Sequence, residues 1–143
     1  MKRYFFLAIL IMSVCVFASC SQKKTETASG NFVEKVFVVN IAEGGQVLQE
    51  YLRYHEKVWP EVEAGFKKAG YKKIVLYRFD HLLVMTIKVP EGADLGAMGK
   101  LAEAYSPRCA EWNKLMDSYQ QGVPGAAPGE KWVEAKPFYQ FDN

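Results

Sequence analysis

Three patterns in the sequence predict an α+β fold of ferredoxin-like type, with elements in the order β-α-β-β-α-β. Segments rich in Val, Ile, Phe and Tyr at 32–41, 71–79, 82–89 and 131–141 read as strands. Between the first and second of these, and again between the third and fourth, apolar residues recur at helical spacing. The second and third are separated by Asp80-His81 alone, so they form a hairpin. One hairpin between two helical crossovers puts the helices on one face of an antiparallel sheet.

The N-terminus precedes this pattern. "MKRYFFLAILIMSVCVFASC" carries Lys2 and Arg3, an apolar run from Tyr4 to Phe17, and then Ala18 and Ser19. It reads as a secretory signal over 1–19, too short and wrongly flanked for a stop-transfer helix. The ending "FASC" resembles a bacterial lipobox, which implies cleavage before Cys20 and a lipid on its thiol. "SQKKTETASGN" is polar and without periodicity, so residues 20–31 are expected to be a lipid-anchored tether to a domain over 32–143. The expected location is the cell envelope of a Gram-negative bacterium, anchored to the membrane through this lipid alone and facing the periplasm.

Within the domain, "FVEKVFVVNI" (32–41) is broken by Glu43-Gly44-Gly45. From 46 to 58, Val47, Leu48, Tyr51, Leu52, His55 and Val58 define one apolar helix face. A residue before proline is pushed out of the α region, so Trp59 ends or kinks this helix. Pro60 then suits the first position of a new helical segment, with Glu61 and Glu63 at its positive end and Ala69-Gly70 as its stop. After the hairpin, "PEG" (90–92) leads to helical stretches at 93–105 and 107–119, the latter opened by Ser106-Pro107. A Gly/Pro-rich loop at 120–130 precedes the last strand, in which Pro137 marks an edge or bulge.

Charge excludes some partners. Removing Lys2 and Arg3 from 18 basic residues leaves 16, equal to the 16 acidic ones, so nothing electrostatic favours nucleic acid or an anionic membrane surface. With Cys20 lipidated, Cys109 is a lone small core residue and no internal disulfide is expected. The strands are apolar on both faces: Phe37 and Val39 alternate with Val36 and Val38, and Leu83, Met85 and Ile87 with Leu82 and Val84. Helices cover one face, so the other is expected to meet a second copy, giving a homodimer whose sheets form a barrel.

Tyr51 and His55 are one helical turn apart and share the apolar face, so both polar tips point toward the sheet. On pattern alone such a histidine is more often a hydrogen-bonded structural residue than a catalyst. His81 reads as a turn residue. Yet His55, Tyr51, Tyr77 in the second strand and Trp112 in "CAEWNKLM" together suit a small polyhydroxylated ring, with aromatic surface for its C–H face and hydroxyl and imidazole for its oxygens. No HExxH, CxxC pair, phosphate loop or GxSxG is present.

"EYLRYHEKVWPEVE", "IVLYRFDHLLVMTIKV" and "CAEWNKLM" resemble the L-rhamnose mutarotase family, from about Val36 to Phe141. The resemblance implies a dimeric α+β barrel that interconverts the α and β anomers of a 6-deoxy sugar without metal or cofactor. It assigns the active-site histidine to His55, its neighbouring tyrosine to Tyr51, the strand tyrosine to Tyr77 and the first of two adjacent tryptophans to Trp112. The second tryptophan position is Asn113 here, a departure in a substrate-binding surface. Opening a cyclic hemiacetal needs one group to protonate the ring oxygen and another to take the anomeric proton. His55 suits that exchange, with Tyr51 or Tyr77 positioning the sugar or relaying a proton. Two alternatives stay open at this level: a sugar-binding lipoprotein that has lost catalysis through Asn113, and a barrel of the monooxygenase or heme-handling type.

Overall fold

The computed structural model describes residues 30–143. The signal segment 1–19, the lipidation position Cys20 and the tether up to residue 29 lie outside the described residues. Strand β1 (Phe32–Ile41) runs down the middle of the sheet, antiparallel to β3 (Leu82–Pro90) along its length. The outer strand β2 (Lys73–Phe79) pairs with β3 through the two-residue turn at Asp80-His81. Asp80 takes the left-handed conformation there (φ 52°), which an aspartate tolerates better than most residues. On the other side of β1 lie two short strands, β4 (Gln120–Gln121) and β5 (Val133–Ala135). The sheet order β2-β3-β1-β4, with β5 also on β1, is the ferredoxin-like arrangement expected from the sequence.

Four helices cover one face. Helix α1 (Gly45–Glu56) stops earlier than the 46–58 stretch expected from periodicity, because Val58 and Trp59 leave the helix before Pro60. Trp59 is extended (φ −65°, ψ 134°), as a residue before proline prefers, and Pro60 opens α2 (Pro60–Ala69). Glu61 and Glu63 sit in the first turn of α2 and Lys67 and Lys68 in its last, each charge matching the helix dipole. Gly70 closes α2 at φ 96°, where a side chain would be strained. Asp94 caps α3 (Leu95–Glu103) by accepting from the Ala97 amide, and Ser106 caps α4 (Pro107–Tyr119) by accepting from that of Arg108. Helices α2 and α3 approach closely at Gly65, where a Cβ would stand 2.7 Å from the Ala102 carbonyl oxygen.

The strongest departure from expectation is at the C-terminus. The strand expected over 131–141 is only three residues long, and beyond Ala135 the described chain has no regular structure. Pro137 supplies no amide hydrogen, which helps to end the ladder there. The core is the helix-covered face: Val39, Ile41 and Leu83 from the sheet pack with Leu48, Tyr51, Val62, Trp112 and Met116 from the helices. Burying each such side chain contributes about 1.5–3 kcal/mol.

Candidate active site

A cavity of about 740 Å³ lies between the sheet and the helices, within the range usual for small-molecule sites. Its strand wall is apolar, made by Phe37, Ile74, Leu76 and Met85. Opposite this wall stand Tyr51, His55 and Trp112, and Asn113 also lines the cavity, so the structure brings together four of the five substrate-site residues expected from the sequence.

Helix α1 positions the first two. Its break after Glu56 leaves His55 in the last turn, where the imidazole folds back and Nδ1 lies 2.9 Å from the Tyr51 carbonyl oxygen. A carbonyl only accepts, so Nδ1 carries the proton and Nε2 keeps its lone pair. The Tyr51 and His55 rings stack with centroids 4.4 Å apart, and Trp112 meets the imidazole edge-on at 5.4 Å. Behind Trp112 stands Trp59, at 5.2 Å with its ring inclined 70° to it, and the Arg108 guanidinium lies 3.6 Å above the Trp59 ring. The extended conformation that Pro60 imposes on Trp59 thus sets its ring against Trp112, a lining residue of the cavity.

Electrostatics separates the two titratable groups. Burial pushes the Tyr51 phenol up to about 12, opposed by the nearby Gln120 side chain. Burial also lowers His55 from its ordinary value, while the bond to the Tyr51 carbonyl works in the other direction. Near neutral pH the pair is therefore a phenol that can give a proton and an imidazole that can take one.

Asn113 lines the cavity while remaining exposed, and donates to Glu103 Oε2 at 2.8 Å, tying α4 to α3. Tyr77 does not join the group. It pairs directly with Val84, which in turn pairs with Val38, and directly opposed residues share a sheet face. That face is the one turned away from the helices, and Tyr77 is 56% exposed on it. Its strand neighbours Ile74 and Leu76 line the cavity instead. The alternation was readable in the sequence; which phase faced the helices was not.

Among the lining residues that escaped the sequence reading as site residues are Glu63, Tyr71, Asp117, Gln120 and Trp132. Gln120 falls in the segment read as loop, but it pairs with Ile41 and so points to the helix-covered face. Trp132 donates from Nε1 to Gln120 Oε1 at 3.1 Å. Nothing in local composition signals this, because the pairing of two-residue β4 is set by distant β1.

Residues 34–141 match the family model described as L-rhamnose mutarotase. An L-fucose mutarotase of Xanthomonas campestris is 37% identical over 101 residues, which span 69% of this chain and 80% of that protein. An L-rhamnose mutarotase of Klebsiella pneumoniae is 29% identical over 98 residues, 67% of this chain and 88% of that one. Among solved structures, an L-rhamnose mutarotase from Formosa agariphila superposes with a TM-score of 0.53 at 18% identity, covering 77% of this chain and 99% of the other, and shares the fold. A match running almost from β1 to the C-terminus, joined to a relative more than a third identical, means that this chain belongs to the L-rhamnose mutarotase family.

Proposed function

We propose that the protein is a cofactor-independent mutarotase for a 6-deoxy hexose, L-rhamnose or L-fucose. The observation that carries this reading is the pairing on one cavity wall of a phenol kept neutral by burial with an imidazole whose Nδ1 is committed to a backbone carbonyl. His55 Nε2 takes the proton of the anomeric hydroxyl while the Tyr51 hydroxyl gives its own to the ring oxygen. The bond from the anomeric carbon to the ring oxygen breaks and the anomeric C–O becomes a carbonyl. After rotation about the adjacent C–C bond the ring hydroxyl adds to the other face. Tyrosinate then recovers its proton and imidazolium returns the one it holds, so both groups end as they began. Such acid–base help is typically worth about 10²- to 10⁴-fold.

Trp112 supplies an aromatic surface beside His55, and Asn113 takes part at the rim. The apolar strand wall suits a methyl group in place of a hydroxymethyl. The names of the Xanthomonas and Klebsiella relatives support fucose and rhamnose as first candidates. NMR saturation transfer between the α and β anomeric protons tests the reading, with His55→Ala as control. Acceleration by wild type and its loss in the variant is the expected result. No acceleration of either sugar by folded protein would point instead to a sugar-binding role, with Asn113 as the departure responsible.

The rest of the biology is proposed on narrower ground. The outward sheet face carries Val36, Val38, Tyr77, Phe79 and Val84, and the chain ends with exposed Phe138, Tyr139 and Phe141, which supports a homodimer joined through these surfaces. The leader and "FASC" support an envelope lipoprotein anchored at Cys20, which fatty-acid labelling abolished by Cys20→Ser would test.

A further inference from the structure

We infer that the protein has a second sugar subsite, lined by Phe66, Tyr71, Gly99, Glu103 and Asn113, which takes a neutral pyranose linked to the 6-deoxy hexose undergoing mutarotation. The inference rests on the mutarotase reading and extends its substrate class from a free sugar to the reducing end of a disaccharide.

The main cavity is larger than one sugar needs. Liquid water takes about 30 Å³ per molecule, so 740 Å³ corresponds to on the order of twenty-five waters, roughly twice the number of non-hydrogen atoms in a 6-deoxy hexose. A smaller cavity of about 190 Å³ adjoins it, and Phe66, Tyr71 and Asn113 line both. Neither Tyr51 nor His55 lines the smaller one. Trp112 and Asn113 are consecutive on α4 but meet different neighbours. Trp112 meets the His55 imidazole, whereas Asn113 donates to Glu103 on α3. The additional room therefore lies on the α3 side of the site, next to the reacting pair but not part of it.

The lining suits a second pyranose. The Phe66 and Tyr71 rings, with centroids 5.6 Å apart and planes inclined 72°, offer apolar surface to the C–H face of a sugar ring. Glu103 accepts from Asn113 through Oε2, which leaves its Oε1 and the Asn113 side-chain oxygen for sugar hydroxyls. Glu63, Asp117 and Glu103 line the two cavities, and no Lys or Arg among the described residues does. Asp117 is already paired with Lys131. A phosphate, sulfate or uronate would thus meet carboxylates without a counter-charge, so the second unit is neutral.

The smaller cavity is preformed. At Gly65 a Cβ would stand 2.7 Å from the Ala102 carbonyl oxygen, so α2 and α3 are in close contact, and Cys109 Sγ donates to the Glu61 carbonyl oxygen at 3.3 Å, tying α4 to α2. Gly99 on α3 is the opening among them: a Cβ there would meet nothing within 4 Å. Hydrolysis of a glycosidic bond formed by a 6-deoxy hexose releases such a reducing end as one anomer, which mutarotation then equilibrates.

The test compares L-rhamnose with a neutral disaccharide, glucose linked to O4 of L-rhamnose, by saturation transfer between the anomeric protons of the rhamnose unit. Wild type should accelerate both, with kcat/KM for the disaccharide at least equal to that for the free sugar. Gly99→Leu keeps a good helix former and fills the smaller cavity, so it should lower the disaccharide-to-monosaccharide ratio of kcat/KM by about tenfold or more. Glu103→Ala changes an exposed side chain and should lower the same ratio several-fold. Glucuronate in place of glucose should also lower it about tenfold, and equal efficiency would overturn the neutral class. A wild type that accelerates rhamnose but not the disaccharide overturns the subsite, as does an unchanged ratio in folded Gly99→Leu. Should that variant not fold, an unchanged ratio in Glu103→Ala overturns it. Failure of the mutarotase reading is a separate result, a wild type that accelerates neither sugar. The subsite is then read from the methyl glycoside of the same disaccharide, whose blocked anomeric centre cannot open. Saturation-transfer difference signals from its glucose protons, weakened in Glu103→Ala, support the subsite, and signals absent from wild type or equal in the two proteins overturn it.

Discussion

Replacing Tyr51 with phenylalanine tests whether its hydroxyl is a buried neutral donor, and does so without any sugar. In the folded protein the phenol is pushed from the usual 10.0 to about 12, chiefly by burial. Two pH units at about 1.36 kcal/mol each give about 2.7 kcal/mol by which folding favours the neutral form. The folded value is the higher one, so this stability is fully present below pH 10 and is lost as pH rises toward 12. At about pH 11.5 the loss from this group should reach about 2 kcal/mol. Tyr51→Phe keeps the ring stacked on His55 and removes the ionisation. It costs about 1 kcal/mol at neutral pH, the size typical of removing one buried polar group's interactions. Urea unfolding of both proteins at about pH 9 and pH 11.5 separates the two effects. Wild type should lose about 2 kcal/mol more than the variant across that interval. Parallel losses would mean that the phenol titrates as if in water, and the assignment of Tyr51 as the acid would fail with them.

Anomer exchange should rise with pH below 6.5 and level off above it, since burial lowers His55 and its neutral form is the base; a midpoint above 6.5 contradicts the burial argument. Gly65→Ala should lower stability by about 1–3 kcal/mol, read as a reduced urea midpoint, because its Cβ collides with the Ala102 carbonyl oxygen. Asn113→Trp lies on an exposed rim, so stability should stay within about 0.5 kcal/mol while KM for the sugar shifts, and an unchanged KM would remove Asn113 from the binding surface. Val84→Lys places a charge in the middle of the outward apolar face and should yield monomers by sedimentation velocity, whereas an intact dimer would place the interface elsewhere.

The parts of the molecule legible in the sequence are those fixed by local rules. Pro60 sets the extended Trp59 and the start of α2 through sterics that reach one residue back. Tyr51 and His55 share a face because a helix repeats every 3.6 residues, so their meeting needed no tertiary information. Tyr77 marks where local rules end. A strand apolar on both sides gives the alternation without its phase, and the register with Val84 and Val38 decides which half of β2 faces the helices. Gln120 was further out of reach, because a two-residue strand has no periodicity and its direction depends on Ile41, 79 positions earlier. The C-terminal segment failed for the opposite reason: Phe138, Tyr139 and Phe141 look like strand residues, but they extend beyond the ladder and stay exposed.

Strands β2 and β3 divide their side chains between two surfaces, residue by residue. Ile74, Leu76, Met85 and Ile87 shape the chamber, while Tyr77, Phe79 and Val84 look outward. Selection can therefore act on the two surfaces independently: a lineage can remodel the chamber and leave the outward face intact, or change that face and keep the chamber.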